Sequence, residues 1–144
     1  LVAIGDLADG FRWAELTSAG KVVVLGTLAT SELSHIYRHV DIGLGAFALE
    51  RRGLGEAVTL KVREYLCNGL PVILGHHDPL ADQPLVAGAL MEVCLDRHER
   101  MEDHFSTLKE TNRSELQSRA ERELSWKAVF TRAGVLRSSS SICP

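Results

Sequence analysis

The chain is poor in cysteine. Its three residues, Cys67, Cys94 and Cys143, show no C-x-x-C spacing and cannot all pair with one another. Cys67 and Cys94 stand in apolar patterns, so both are expected as reduced, buried thiols rather than as a disulfide framework. No apolar run approaches the length of a transmembrane helix, and no signal peptide opens the chain, which begins with Leu inside an apolar segment. A reducing, cytoplasmic location is the expectation. Basic runs are missing too. With a net charge of −3 there is no electrostatic reason to expect a nucleic-acid partner. Asn112-Arg113-Ser114 matches a glycosylation sequon, but without an export signal it reads as incidental. Internal repeats are absent, as is any linker long enough to divide two domains.

What is present fits one globular domain over residues 1–137, followed by a disordered tail over 138–144. Of the 144 residues, 45% are hydrophobic and 24% charged, enough to bury a core without metal or disulfide support. Taken in order, the chain reads as a strand over 1–5, a helix over 11–19 and a strand over 21–26. Leu33, Ile36, Tyr37 and Val40 recur at helical spacing, and Ile42 to Phe47 forms a third strand. Val72-Ile73-Leu74 is a short buried strand, Leu80 to Gly88 a short helix, and Leu90 to Leu95 a fifth strand. Met101, Phe105 and Leu108 mark a helix, and Ser114-x-x-Gln117 resembles the capping box of the next, which carries Leu116, Ala120 and Leu124. A last turn or helix starts at Ser125-Trp126 and runs to about Arg137. Such alternation means α/β with a mostly parallel sheet flanked by helices, and ligands on such sheets bind beyond the carboxyl ends of the strands.

The chemistry concentrates between Leu49 and Gly75. A polar loop with Gly53 and Gly55 runs into a helix that Thr59 is placed to cap. Asn68-Gly69 ends the helix, and Pro71 prevents its resumption. A glycine-rich loop entering a helix N-terminus offers free backbone N–H groups and the positive end of the helix dipole, which suits a phosphate or diphosphate. Glu56 stands in the loop and Glu64 in the helix, with seven residues between them. A carboxylate one turn into the helix can accept from two neighbouring hydroxyls, as a ribose offers. Leu60, Glu64 and Cys67 share a helix face, so Glu64 is expected beside apolar neighbours and in need of a hydrogen-bond partner.

The pattern Glu56-x7-Glu64, followed by Tyr65-Leu66-x-x-Gly69-x-Pro71-Val72, resembles the signature of the retaining glycosyltransferases of family 4. The run from Val22 to Leu44 is similar to the segment that precedes it in those enzymes, and the resemblance spans roughly residues 1–95. It implies a Rossmann-like fold forming most of one half of a two-domain GT-B enzyme, the half that holds the nucleotide-sugar donor. Carried over, Glu56 is the catalytic-site acid beside the donor sugar and Glu64 binds the ribose hydroxyls. Thr59, Leu60 and Lys61 meet the diphosphate, and Thr27 and Leu28 lie near the base. The implied reaction moves a sugar from a nucleotide diphosphate to an acceptor with retention of configuration, without a cofactor or bound metal.

Two departures from the family stand out. Ala57-Val58 occupies the place where a further glycine is usual, and the donor domain's first strand and the acceptor domain should precede Leu1. A missing domain or a partner chain would have to supply them. The alternatives are a nucleotide-sugar epimerase-like enzyme, or a non-catalytic nucleotide-sugar-binding subunit or sensor. Apart from the resemblance, Glu56 reads as a solvated loop acid and Glu64 as one of several charges on its helix. His76-His77-Asp78 reads as a turn rather than a metal site, and Gly43-x-Gly45-x-x-Ala48 matches a dinucleotide fingerprint in letters only. Trp126 and Phe130 are expected to pack a helix against the body or against a missing domain.

Overall fold

The computed structural model describes residues 1–5, 13–47, 49–94 and 101–135. Its contacts group into two compact units, Leu1–Ile36 and Tyr37–Pro144. In the first, β1 (Val2–Ala3) and β2 (Val23–Val24) pair in parallel, Val2 opposite Val23 and Ala3 opposite Val24. Helix α1 (Trp13–Ser18) lies between them in sequence, as a parallel crossover requires. Ser18 Oγ donates back to the Ala14 carbonyl at 2.8 Å, and Gly20 turns the chain at φ +68. Helix α2 (Thr30–Tyr37) begins where the Glu32 carboxylate accepts from Ala29 N at 2.7 Å, the returning half of a capping box. It ends at Tyr37, so Val40, expected within it, lies beyond.

The second unit carries a three-stranded parallel sheet of order β3 (Gly43–Leu44), β4 (Val72–Leu74), β5 (Leu90–Glu92). Hydrogen bonds from Gly43 N to Pro71 O and from Gly45 N to Ile73 O, both 2.8 Å, set the β3–β4 register. β4 is central and entirely buried, which explains its unbroken β-branched and aliphatic sequence. Val72 and Leu74 face one layer with Val62 and Leu66 of α3 (Leu60–Cys67) and with Leu116, Ala120 and Leu124 of α5 (Arg113–Leu124). Ile73 faces the other, with Val93 and with Leu108 of α4 (Met101–Lys109). Helix α6 (Trp126–Arg132) follows α5 directly, capped by Ser125 Oγ, which accepts from Ala128 N at 3.2 Å.

The α/β class with parallel strands and flanking helices therefore stands, and several boundaries differ from expectation. Leu80 to Gly88 is not a helix but a turn with one 3-10 segment, Pro84–Val86. Asp78 Oδ1 captures Leu80 N at 3.0 Å in an Asx-type turn, and Pro84 lacks the N–H a helix needs there. Helix α5 is capped by Asn112, whose Oδ1 accepts from Glu115 N at 3.2 Å and from Ser114 Oγ at 3.1 Å. Ser114, expected as the cap, is already inside the helix. α6 stops at Arg132, with Gly134 at φ +73 just beyond. β5 ends at Glu92, and Cys94 is exposed rather than buried. Residues 11 and 12 of the expected first helix, Leu95, Cys143 and the expected tail over 138–144 lie outside the described residues. Trp126 and Phe130 stack on each other at 5.6 Å and stay 59% and 40% exposed. Among the described residues, no helix is long and apolar enough to cross a membrane.

Arg113 ties this unit together. Its Nε donates to Gly69 O at 3.0 Å, Nη1 to Val40 O at 2.8 Å and Nη2 to Tyr37 O at 2.6 Å. A cation thus meets carbonyls at the carboxyl ends of two helices, where the helix dipole favours positive charge. Gly69 sits at φ +69, and a Cβ there would collide with the Arg113 carbonyl, so the turn after α3 requires glycine on two counts.

Candidate functional site

The loop that leaves β3 returns to the sheet beside the end of β4. Ala57 N donates to His77 O at 3.0 Å and His77 N donates to Gly55 O at 3.1 Å, a parallel bridge centred on Glu56 and His77. Glu56 is thereby held by its backbone at the carboxyl end of β4 while its side chain stays in solvent. Three residues later the chain enters α3. Thr59 is extended (φ −100, ψ 141) and its Oγ1 accepts from Val62 N at 3.4 Å, as its residue type predicts. Among the described residues the amides of Leu60 and Lys61 have no acceptor, the usual state of a first helical turn. Lys61 is exposed, and so is Leu60 at 63%.

The buried face of α3 is Val62 with Leu66, not the face that carries Leu60. Packing on α5 sets that phase. Glu64 lies on the flank, half-buried beside the hydroxyl of Tyr37. Burial pushes the Tyr37 phenol well above its ordinary pKa of 10.0, and the Glu64 carboxylate beside it, with a weak hydrogen bond, adds to the rise. Tyr65 is raised for the same first reason, burial, with Glu64 second. The two tyrosine rings meet edge to face at 5.4 Å, and Gly43 leaves room for Tyr65, whose ring a Cβ on that glycine would approach to 2.5 Å.

Beyond β4 stands a polar group that residue spacing had passed over. His77 Nδ1 lies 2.9 Å from Glu92 Oε1, the same oxygen that accepts from Asp78 N at 3.0 Å, and His77 Nε2 is 3.5 Å from Asp82 Oδ2. The hydrogen bond to Glu92 raises the His77 pKa above 6.5; the charges of Glu92, Asp82 and Glu56 act in the same direction. His76 is buried, its Nδ1 3.1 Å from Ala46 O and its Nε2 3.1 Å from Ala57 O. By residue type alone His76 and His77 mark only a turn. Their place directly after a parallel strand was the signal available, because such positions open onto the carboxyl edge. Glu92 is found from the register, in which Leu74 pairs with Glu92.

Glu56, Thr59, Leu60 and Lys61 thus gather at the end of β4, and Glu64 follows one turn along α3. Thr27 and Leu28 belong to the first unit, just past β2, where Gly26 takes φ +65 and its carbonyl accepts from Gly5 N at 2.7 Å. Thr27 is exposed and Leu28 half-buried. Among the described residues, no three His, Cys, Asp or Glu side chains converge as a metal ion would need. A groove of about 320 Å³ lies elsewhere, against Ala87–Ala89 and the start of α5. Its position at the amino end of β5 separates it from the Glu56 edge. Comparison of the chain with protein-family models, with curated proteins and with solved structures returns no match.

Proposed function

We propose that this chain is the donor-binding portion of a retaining, family 4-type glycosyltransferase of GT-B architecture. The observation that carries the reading is the coincidence of the Glu56-x7-Glu64 pattern with a particular setting. Glu56 has a bridged backbone and an exposed carboxylate at the carboxyl end of β4, immediately ahead of the N-terminus of α3. Strand order agrees with a Rossmann-like parent. In the second unit the strands step outward in chain order, and in the first the later strand pairs with the earlier one, all parallel, as in each half of a doubly wound sheet.

In this reading the amides of Thr59 and Leu60, with Lys61, meet the diphosphate, and helix-dipole charge and N–H groups stabilise the leaving group. Glu64 accepts from the ribose hydroxyls and Glu56 from hydroxyls of the donor sugar. The bond from the anomeric carbon to the diphosphate breaks, and a bond to an acceptor hydroxyl forms on the same face. A further domain or a partner chain would hold that acceptor.

Glu64→Gln tests the nucleotide site. Hydrogen bonds to charged acceptors are worth roughly 1.5–3 kcal/mol, so affinity for a nucleoside diphosphate falls about tenfold or more. The 2′-deoxy analogue should lose most of its disadvantage in that variant. Calorimetry at high nucleotide concentration, with circular dichroism to verify folding, supplies the comparison. Equal binding by wild type and variant would leave Glu64 as the partner of Tyr37 alone and remove the ribose role.

A further inference from the structure

The His76 side chain lies between the end of β3 and the loop that bears Glu56. Its ring nitrogens lie 3.1 Å from Ala46 O, two residues beyond β3, and 3.1 Å from Ala57 O, the residue after Glu56. His76 is only 6% exposed, so its ring is largely closed off from solvent. A carbonyl can only accept, so each contact is a hydrogen bond when the facing nitrogen carries a proton. A neutral ring makes one of the two bonds, and a doubly protonated ring makes both. Around it the backbone approaches closely: a Cβ at Gly75 would come within 2.9 Å of Phe47, so the chain before His76 is pressed against the end of β3.

We propose that His76 is a positioning residue that fixes where Glu56 presents its carboxylate to a donor sugar; this rests on the nucleotide-sugar reading above. The Glu56 carboxylate is exposed, and its charge acts on His77. Its placement depends on Gly55 and Ala57, which are anchored by the His77 backbone on one side and the His76 ring on the other. A ligand-contacting group needs that kind of support, because small displacements degrade directional contacts. Helix α3 has separate anchors, the Thr59 cap and the burial of Val62 and Leu66, so its amides do not depend on His76.

The test compares UDP with UDP-glucose and GDP with GDP-mannose by NMR-detected titration of the whole chain at millimolar ligand. The quantity read is the affinity gained by adding the sugar. Glu56→Gln should cut that gain by about tenfold or more, the value of one charge-assisted hydrogen bond. His76→Phe keeps a ring without donors and should cut the gain comparably while leaving affinity for the bare diphosphate unchanged. His76→Gln, which keeps a donor, should fall between wild type and His76→Phe. If circular dichroism shows His76→Phe unfolded, His76→Gln carries the comparison.

A full sugar gain in the folded His76 variants, alongside its loss in Glu56→Gln, would overturn the positioning role and leave the donor-site reading standing. An equal loss of bare diphosphate affinity in the His76 variants would make His76 merely structural, and also overturn the role. No sugar gain in wild type with any of these probes, or a full gain in Glu56→Gln, would overturn the reading of Glu56 and this inference with it.

Discussion

Replacing Arg113 with methionine removes three hydrogen bonds while keeping most of the side chain's length and apolar packing. The donors reach Gly69 O, Val40 O and Tyr37 O at 3.0, 2.8 and 2.6 Å, short enough to be charge-assisted. Each such bond is worth roughly 1.5–3 kcal/mol net when taken alone, but the three share one side chain and one charge. Ordering that side chain costs up to about 2 kcal/mol, and a cation at the first position of α5 opposes the dipole by roughly 0.3–1 kcal/mol. The balance is a loss of about 2–4 kcal/mol on Arg113→Met.

Arg113→Lys keeps the charge but not the planar fork, so it should fall between the two. Urea unfolding followed by circular dichroism measures both variants. With a slope of about 2 kcal/mol/M, in the middle of the range for small proteins, the midpoint for Arg113→Met should drop by roughly 1–2 M. An unfolding free energy within about 0.5 kcal/mol of wild type would show that the three carbonyls are served as well by solvent. Arg113→Lys as stable as wild type would show that charge at the helix ends, not the fork, is what counts.

Other outcomes can be measured on the same protein. His77 gains its proton through Glu92, so its folded pKa lies above the 6.5 of the free side chain. The stabilisation it contributes is present in full below 6.5 and is lost as pH rises through the raised folded value. Glu92→Gln should bring the NMR titration midpoint of His77 down toward 6.5, and an unmoved midpoint would refute the pairing. Leu66, fully buried between β4 and α5, should cost about 2–5 kcal/mol when changed to alanine. A loss under about 1 kcal/mol would mean that the layer between α3 and α5 collapses around the gap.

Where a signal is carried by a few neighbouring residues, the sequence was sufficient. Thr59 caps α3 because its hydroxyl needs only the amide three residues on, and Asn68-Gly69 ends that helix through a φ that glycine accepts locally. Val72-Ile73-Leu74 could be read as a buried strand because its lack of alternation already implies cover on both faces. The same locality explains the near miss at α5, where Asn112 and Ser114 are both competent caps two residues apart and the sequence does not rank them. The phase of α3 was beyond local reasoning: Leu60 and Leu66 are equally apolar as letters, and only the position of α5 buries one and exposes the other.

The polar framework of the site was decided by tertiary structure alone. His76 reaches carbonyls 30 and 19 residues away, His77 a carboxylate 15 away, and Arg113 carbonyls 44, 73 and 76 away. The carbonyl partners have no residue type that marks them, since a backbone carbonyl looks the same at every position, and Glu92 is one of many acids in the chain. Which carbonyl faces which ring depends on the register of β3, β4 and β5 and on where the loop between Phe47 and Thr59 rejoins the sheet. The sequence determined the α/β elements and the spacing of Glu56 and Glu64. Register and packing, which sum weak contacts over the whole unit, determined which groups surround those two acids.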